Sequence, residues 1–376
     1  MSIFVTGTTG YLGSYVAHLL LTEHTDRLAV LVRASDEDHA RQRLWKAWQL
    51  HMDFATFEPL LEDRVDVYCG DLTSRRFGLS DTDYDRLAHT LDSVIHVAAS
   101  LNRRSAKACF NVNLRGTLEV VKLARAAADH HGLRRFSDVS TAAVVGRREG
   151  LIVPEPDMVD WSISDFDPYA RTKKFTEHMV HELLHDVPTT VFRPSTVLGD
   201  SRFAETTQFD MVRAFVFLAN LPVLPLDRSW RHDIVPADQV SRWLVAIHQG
   251  ETPAHDSYNL SAGAAAQTYG QITDAIVAAS GRSAPRFAPW LAGSFDRVAG
   301  WLSNTPRGWG VSSPAAMMKV FMPYLTFDTV FDNSRIVEAT GEAPAPFSDY
   351  AYGLMRFAMD GGFEYPYEPW PTEGGA

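Results

Sequence analysis

Apolar positions in the first 200 residues follow two alternating rhythms. Short runs rich in β-branched and aromatic residues occupy Ile3–Thr6, Arg27–Val32, Val65–Cys69, Ser93–Val97, Phe136–Val139 and Thr190–Phe192. Between them, apolar residues recur at helical spacing in Tyr11–Leu21, Asp36–Leu50 and Asn113–Ala128. Strand, helix and strand repeated in this way predict an α/β fold, a doubly wound parallel sheet with helices on both faces. Sheets of that kind bind ligands beyond the carboxyl ends of their strands, so the residues just after each run carry most of the chemistry.

The rhythm changes after Gly199. Residues 201–230 read as helical and apolar, with Phe203, Phe209, Phe215 and Phe217 among them, and Asp233–Val235 and Ser257–Leu260 as returns to the sheet. From about residue 263 the chain is rich in aromatics, Met, Gly and Pro, including Trp290, Phe295, Trp301, Met317, Met318, Phe321 and Met322. This predicts a smaller, mostly helical C-terminal lobe, its aromatic and Met stripe chiefly core with some positions lining an acyl channel. The expected division is 1–200 with 231–262 for the sheet domain and 201–230 with 263–376 for the substrate lobe. The tail from Tyr365, broken by prolines, is expected to be loosely attached.

Composition narrows the function. The 376 residues are 45% hydrophobic and 22% charged, which excludes a wholly disordered chain. A net charge of −11 argues against nonspecific nucleic-acid binding through a basic surface. Cys69 and Cys109 make no C-x-x-C pair and read as core thiols of a reducing compartment. The N-terminus carries no signal-type segment and no window is long and apolar enough to span a membrane, so a soluble, cytoplasmic protein is expected.

Within this frame, Thr6-Gly7-Thr8-Thr9-Gly10-Tyr11-Leu12-Gly13 stands between the first strand and the first helix. Glycines there permit a tight turn and close backbone approach to a pyrophosphate, while the helix amino-terminus offers free N–H groups. The pattern predicts a Rossmann-type dinucleotide site, and local backbone donors bind the anion whatever the net charge. The second strand ends in Arg33, where an NAD-preferring site offers an acidic residue to the ribose; Arg33, with Arg43 on the next helix, favours the 2′-phosphate of NADPH. Asp71 and Leu72 follow the third strand and suit the adenine edge. Ala98 and Ala99 follow the fourth and let a cofactor lie against backbone.

Tyr169 and Lys173, four residues apart, share one helix face. An ammonium beside a phenol makes it a better proton relay near neutrality, and Lys173 can also hold ribose hydroxyls. About thirty residues upstream, Thr141 is the candidate hydroxyl for aligning a substrate carbonyl, with Ser140 as its rival. Asn113 either kinks its helix and orients a water toward Lys173 or caps a helix.

Together with Gly70-Asp71-Leu72, His96-Val97-Ala98-Ala99, Asn113-Leu114-Arg115-Gly116-Thr117, Ser140-Thr141-Ala142 and Arg193-Pro194, these motifs make residues 1–260 resemble an extended short-chain dehydrogenase/reductase. Leu31-Val32-Arg33-Ala34, Ser100-Leu101-Asn102, the run Arg193–Ser201 and Phe331-Asp332-Asn333 are similar to its thioester-reductase branch, which includes carboxylic acid reductases, peptide-synthetase terminal reductase domains and fatty acyl-CoA reductases. The resemblance adds Pro194, Ser195 and Val197 to the cofactor site and implies hydride transfer from NADPH to an acyl thioester, bound to CoA or to a carrier protein, or to the derived aldehyde. A first strand starting at residue 3 leads us to expect a free-standing enzyme whose acyl or peptidyl carrier protein arrives in trans, although an acidic carrier would be opposed by the net −11 unless a local basic patch offsets it.

Other signals carry less. His178, His181 and His185 recur at helical spacing, but no acidic or Cys partner completes a metal site, so none is expected. His232-Asp233 reads as structural, beside the substrate lobe. The acidic run Glu149, Glu155, Asp157, Asp160, Asp165 and Asp167 is expected to face solvent near the site mouth. Two rivals remain: another extended family member, such as a sugar-nucleotide epimerase or hydroxysteroid-type dehydrogenase, and a non-catalytic cofactor sensor. The apolar 201–230 segment counts against a sugar-diphosphate pocket, and intact Thr141, Tyr169 and Lys173 count against a sensor.

Overall fold

The structure, a computed structural model, describes residues 1–293 and 324–371. Seven parallel strands form its main sheet: β1 (Ser2–Thr6), β2 (Arg27–Val32), β3 (Val65–Cys69), β4 (Ser93–His96), β5 (Arg135–Val139), β6 (Thr189–Pro194) and β7 (Ser257–Leu260). Their spatial order is β7-β6-β5-β4-β1-β2-β3. The chain winds outward from β1 to β3, then crosses back to β4 on the other side of β1. That reversal opens a crevice between β1 and β4, where Thr6 pairs with His96 at the carboxyl ends.

Eleven helices are used below: α1 (Tyr11–Glu23), α2 (Glu37–Trp48), α3 (Phe54–Arg64), α4 (Asp81–Thr90), α5 (Thr117–His131), α6 (Pro168–Leu183), α7 (Asp210–Ala219), α8 (Ala237–Gln249), α9 (Tyr269–Ser280), α10 (Ser334–Thr340) and α11 (Phe347–Asp360). Alternate strand residues point to opposite faces. Ile3, Val5, Val30 and Ile95 pack with α1, α2, α3 and α8, whereas Phe4, Ala29, Val94 and Phe136 pack with α4, α5 and α6. Because both faces are covered there, β1 and β2 read as continuous apolar runs, whereas the edge strand β3 alternates through exposed Asp66 and β5 buries Arg135, Ser137 and Asp138. A separate cluster joins α7, α9 and α11 through Phe215, Leu218, Tyr269, Ile272, Leu354 and Met355.

Several expectations change. Within 201–230 the α-helix is confined to α7, and Pro222 and Pro225 bar its continuation past Ala219. Asp233–Val235 does not rejoin the main sheet; Ile234–Val235 pairs in parallel with Thr196–Val197, a two-stranded ladder beyond the end of β6. Ser257–Leu260 does join it, at the edge beside β6. The described part of the tail is anchored, correcting the loose attachment expected of it: the Tyr365 hydroxyl donates to the Gln49 carbonyl at 3.2 Å, and the Trp370 ring meets Phe54 edge-on at 5.1 Å. Trp290 is 77% exposed and therefore not core. Phe295, Trp301, Met317, Met318, Phe321 and Met322 lie outside the described residues. Among the described residues no helix is long and apolar enough to cross a membrane.

Candidate active site

A cavity of about 570 Å³ opens at the carboxyl ends of the central strands. Its wall takes in Thr6, Gly7, Thr9, Gly10, Tyr11, Leu12, Gly13, Arg33, Arg43, Asp71, Leu72, Ala98, Ala99, Thr141, Tyr169, Lys173, Pro194, Ser195 and Val197. The turn after β1 is shaped by contact. Gly7 has φ +82°, and a Cβ there would lie 2.7 Å from the Ala98 nitrogen. A Cβ on Gly13 would fall onto the Gly7 carbonyl group, 2.6 Å from its carbon. Strand, turn and helix can approach this closely only without side chains. The helix that follows has Gly10 at its N-cap, no side-chain cap and no acidic residue in its first turn. By contrast, Asp36 caps α2 and Asp167 caps α6 with their carboxylates. The α1 N–H groups thus face the cavity as an anion site.

Arg33 is exposed at the end of β2, and the Arg43 guanidinium donates to its carbonyl oxygen. Two cations therefore stand at the cavity edge beyond the second strand. Asp71 folds back on itself, accepting from the Thr73 amide at 2.8 Å and the Thr73 hydroxyl at 2.7 Å. Burial pushes its carboxyl up, but those bonds and the Arg33 charge outweigh it and hold Asp71 below the usual carboxylate range.

On the opposite wall, Tyr169 and Lys173 lie buried on α6. Asp167 fixes the start of this helix by accepting from the Ala170 amide at 2.9 Å. The Lys173 ammonium donates to the Val139 carbonyl at 2.6 Å, pinning α6 to the end of β5. Thr141 caps a short turn, its hydroxyl oxygen accepting from the Ala143 amide at 3.3 Å, so its proton is available to a ligand. The rival Ser140 is committed elsewhere: its hydroxyl donates to Glu177. Glu177 in turn receives Arg193 through Nε at 3.1 Å and Nη2 at 2.8 Å, a buried bidentate pair beneath the site. Asp138, next to Val139, is wholly buried with both oxygens lacking a hydrogen-bond partner. Burial pushes its carboxyl up to about 6, opposed by the Lys173 charge and reinforced by Glu177.

Asn113 is not brought into the cavity. It lies in a π-helical stretch, Phe110–Gly116, so it caps no helix. Its amide oxygen accepts from the Ser100 amide at 2.7 Å, and its amide nitrogen donates to Thr172 at 3.1 Å and to the Ser100 carbonyl at 3.2 Å. The side chain ties the loop after β4 to α6.

Other wall residues carry little or no signal in the sequence. Arg103 stacks over the Tyr169 ring at 4.8 Å and the Tyr324 ring at 4.2 Å, and its guanidinium donates to Asp167 at 3.2 Å. Tyr324 donates to the same carboxylate at 2.5 Å. Arg103 and Tyr169 are distant along the chain, and no local pattern joins them. Phe327 and Phe331 close the cavity from the C-terminal part, where Val330–Phe331 pairs with Ile152–Val153. His232 and Asp233 also line it. Burial pushes the His232 ring down to about 4 and the Asp233 carboxyl up to about 6. The acidic run behaves differently from expectation. Glu155, Asp165 and Asp167 turn inward to Arg335, Lys174 and Arg103, while Glu149 and Asp157 remain exposed and Asp160 is half-buried. Cations on neighbouring elements, Lys174 buried and Arg103 and Arg335 partly so, draw in the carboxylates that would otherwise face solvent.

A sequence model of the family described as male sterility protein matches residues 5–244. A linear gramicidin synthase of Brevibacillus parabrevis is 30% identical over 259 residues, covering 68% of this chain but 5% of that protein. L-2-aminoadipate reductase of Schizosaccharomyces pombe is 26% identical over 272 residues, 68% of this chain and 19% of that protein. The chain thus spans a small part of these relatives. Among solved structures, the terminal R domain of the myxalamid PKS-NRPS pathway superposes with a TM-score of 0.80 at 21% identity, covering 98% of this chain and 92% of that one. A UDP-glucuronic acid 4-epimerase from Bacillus cereus shares the fold at a TM-score of 0.62 and 20% identity, covering 95% of this chain and 96% of that one. The family match, the glycine turn and the seven-stranded parallel sheet agree: the chain belongs to the male sterility protein family, in the reductase branch of the extended short-chain dehydrogenases/reductases.

Proposed function

We propose that this protein is an NADPH-dependent reductase of acyl thioesters, bound to a carrier protein or to CoA, and of the derived aldehydes. The observation that carries the reading is the meeting of Thr141, Tyr169 and Lys173 with the glycine turn in one cavity. The residues present fit a dinucleotide: an uncapped α1 amino-terminus, a cradle that a Cβ on Gly7 would fill, and Arg33 with Arg43 beyond β2 for a 2′-phosphate. Thr6, Thr9, Tyr11, Leu12, Asp71, Leu72, Ala98, Ala99, Pro194, Ser195 and Val197 complete the wall that would hold it. When bound, the cofactor supplies a hydride to the carbonyl carbon.

The chain's own residues do the rest. Thr141 and Tyr169 donate hydrogen bonds to the carbonyl oxygen, stabilising the charge that develops there. Tyr169 delivers the proton, and Lys173 holds positive charge behind it. One hydride and one proton convert a thioester to a hemithioacetal, which collapses to aldehyde and free thiol. A second pair of equivalents converts aldehyde to alcohol at the same groups. Asn113 serves as a brace for the loop that carries Ser100 and not as a group in contact with ligand. We further propose that 1–200 with 231–262 forms the cofactor domain and 201–230 with 263–376 the substrate lobe. The relatives' names, a linear gramicidin synthase and an L-2-aminoadipate reductase, support a thioester or carboxylate-derived substrate.

The test is NADPH oxidation with acyl-carrier-protein, acyl-CoA and free aldehyde. Turnover of at least one is expected, falling by roughly two to four orders of magnitude in Tyr169→Phe, as for loss of a general acid. Activity on sugar nucleotides with none on thioester or aldehyde overturns the reading.

A further inference from the structure

The stretch from Ser100 to Leu118 carries four cations, Arg103, Arg104, Lys107 and Arg115, and no carboxylate, in a chain whose net charge is −11. It leads from the end of β4 through a short helix, Ala106–Cys109, into the π-helical turn before α5. Leu101, Arg103 and Val112 line the cavity, so the stretch forms part of its mouth. Arg104, Lys107 and Arg115 are exposed, while Arg103 turns inward onto Tyr169 and Tyr324. Two large apolar side chains sit among them in solvent, Leu101 at 57% and Phe110 at 49% exposure.

The neighbouring carboxylates reinforce this polarity. Asp167 is taken by Arg103 and Tyr324, Asp165 by Lys174, and Glu119 by Lys122 at 2.6 Å and the Arg76 amide at 2.8 Å. Each is largely withdrawn from solvent, with side-chain exposures of 14%, 13% and 13%. Arg171 on α6, the element packed against this stretch, is 64% exposed and pairs with Asp165 at 3.4 Å, so it helps Lys174 neutralise that carboxylate. An exposed apolar pair set among cations, at the door of a catalytic cavity, has the composition of a recognition surface for an acidic partner.

We propose that Leu101–Arg115 is the docking surface for an acidic carrier protein that presents its thioester at the cavity mouth. Arg104, Lys107 and Arg115 attract the carrier's acidic face, and Leu101 and Phe110 are covered on contact. The proposal rests on the thioester-reductase reading and adds to it which face receives the partner. It also answers the electrostatic difficulty of a net-negative enzyme receiving a net-negative protein. The repulsion acts between whole molecules and is screened beyond about 8–10 Å at ordinary ionic strength, so charges in contact decide the outcome.

The test is the triple charge reversal Arg104→Glu/Lys107→Glu/Arg115→Glu, with Phe110→Ser as a second, uncharged variant. None of these residues lines the cavity. Kinetics are measured with an acyl thioester on an isolated acidic carrier protein, with the same acyl group on a small pantetheine thiol, and with the free aldehyde. Direct binding of the acyl-loaded carrier is followed by fluorescence anisotropy at low and high salt. We expect the triple variant to lower kcat/KM on the carrier-bound substrate by on the order of tenfold or more. The two small substrates should be turned over as by the parent protein. Carrier binding should weaken with salt in the parent, lose that dependence in the triple variant, and weaken in Phe110→Ser. Equal losses on carrier-bound and small substrates overturn the docking assignment, as does salt-sensitive binding that the variants leave intact or its absence in the parent protein. Failure to reduce any thioester or aldehyde counts against the reductase reading instead, because the anisotropy measurement needs no turnover.

Discussion

Gly13→Ala is the sharpest test of the phosphate-binding turn. The new Cβ would stand 2.6 Å from the Gly7 carbonyl carbon and 3.1 Å from the Thr8 nitrogen. Ordinary carbon–carbon contacts run at roughly 3.5–4.0 Å, so the overlap is about 1 Å and involves only backbone. The turn cannot give way cheaply. Gly7 is pressed against Ala98, the Gly7 carbonyl accepts from the Gly10 amide at 2.8 Å, and the Thr8 carbonyl accepts from the Trp48 indole at 3.0 Å. Nor can α1 retreat freely, because Val16, Ala17 and Leu20 are fully buried against the sheet. Overpacking of this kind costs about 1–3 kcal/mol, and the absence of a flexible neighbour places Gly13→Ala near the upper end. Displaced N–H donors would forfeit a charge-assisted hydrogen bond of about 1.5–3 kcal/mol, weakening cofactor binding roughly ten- to a hundredfold. Gly10→Ala is the internal control, since a Cβ there lies 3.2 Å from the Gly7 oxygen and the backbone already has φ −95°. It should cost less than about 1 kcal/mol. Urea unfolding and NADPH fluorescence titration measure both effects. Equal behaviour of the two variants in both assays would refute the close-approach argument.

Three further outcomes follow from buried or edge charges. Asp138→Asn removes a carboxyl whose folded pKa is raised to about 6. The native protein binds the extra proton between the unfolded and folded pKa values, so that carboxyl's contribution to stability falls as pH rises from about 4 to about 6, by roughly 3 kcal/mol in all. The Asn variant should therefore gain on the parent between pH 4 and pH 7 in urea midpoints; a gap moving the other way sinks the assignment. The comparison must be a difference, because His96 and His232, held neutral by burial, destabilise the fold as pH falls below their unfolded value. Arg193→Leu strands the Glu177 carboxylate in the interior and should cost roughly 3–5 kcal/mol, with partial recovery in the double variant Arg193→Leu/Glu177→Leu; thermal melts that show no recovery would contradict a pairwise origin. Arg33→Ser should weaken NADPH binding about tenfold or more and leave NADH nearly unchanged, and titration of both cofactors decides it.

Much of this protein is legible in its sequence, and the legible part is local. Strands β1 to β6 fall on the runs read from the sequence; in β1 and β2 burial on both faces writes itself as a continuous apolar run, while β5 is recognisable despite its buried Arg135, Ser137 and Asp138. The glycine turn is equally readable, since the positions that tolerate no Cβ admit no other residue. Tyr169 and Lys173 lie one helical turn apart and share a face by helix geometry alone. The tertiary structure decides what depends on contacts between distant segments. It separates Thr141 from Ser140 by committing Ser140 to Glu177, and it withdraws Asn113 from the cavity to brace Ser100 and Thr172. It places Arg103 over Tyr169 and Tyr324, and it turns Glu155, Asp165 and Asp167 from an expected solvent face into ion-pair partners, Glu155 buried and the two aspartates partly so. Backbone conformation and burial obey short-range periodicity and can be read along the chain, whereas the environment of a charge is set by whatever the fold brings within a few ångströms of it.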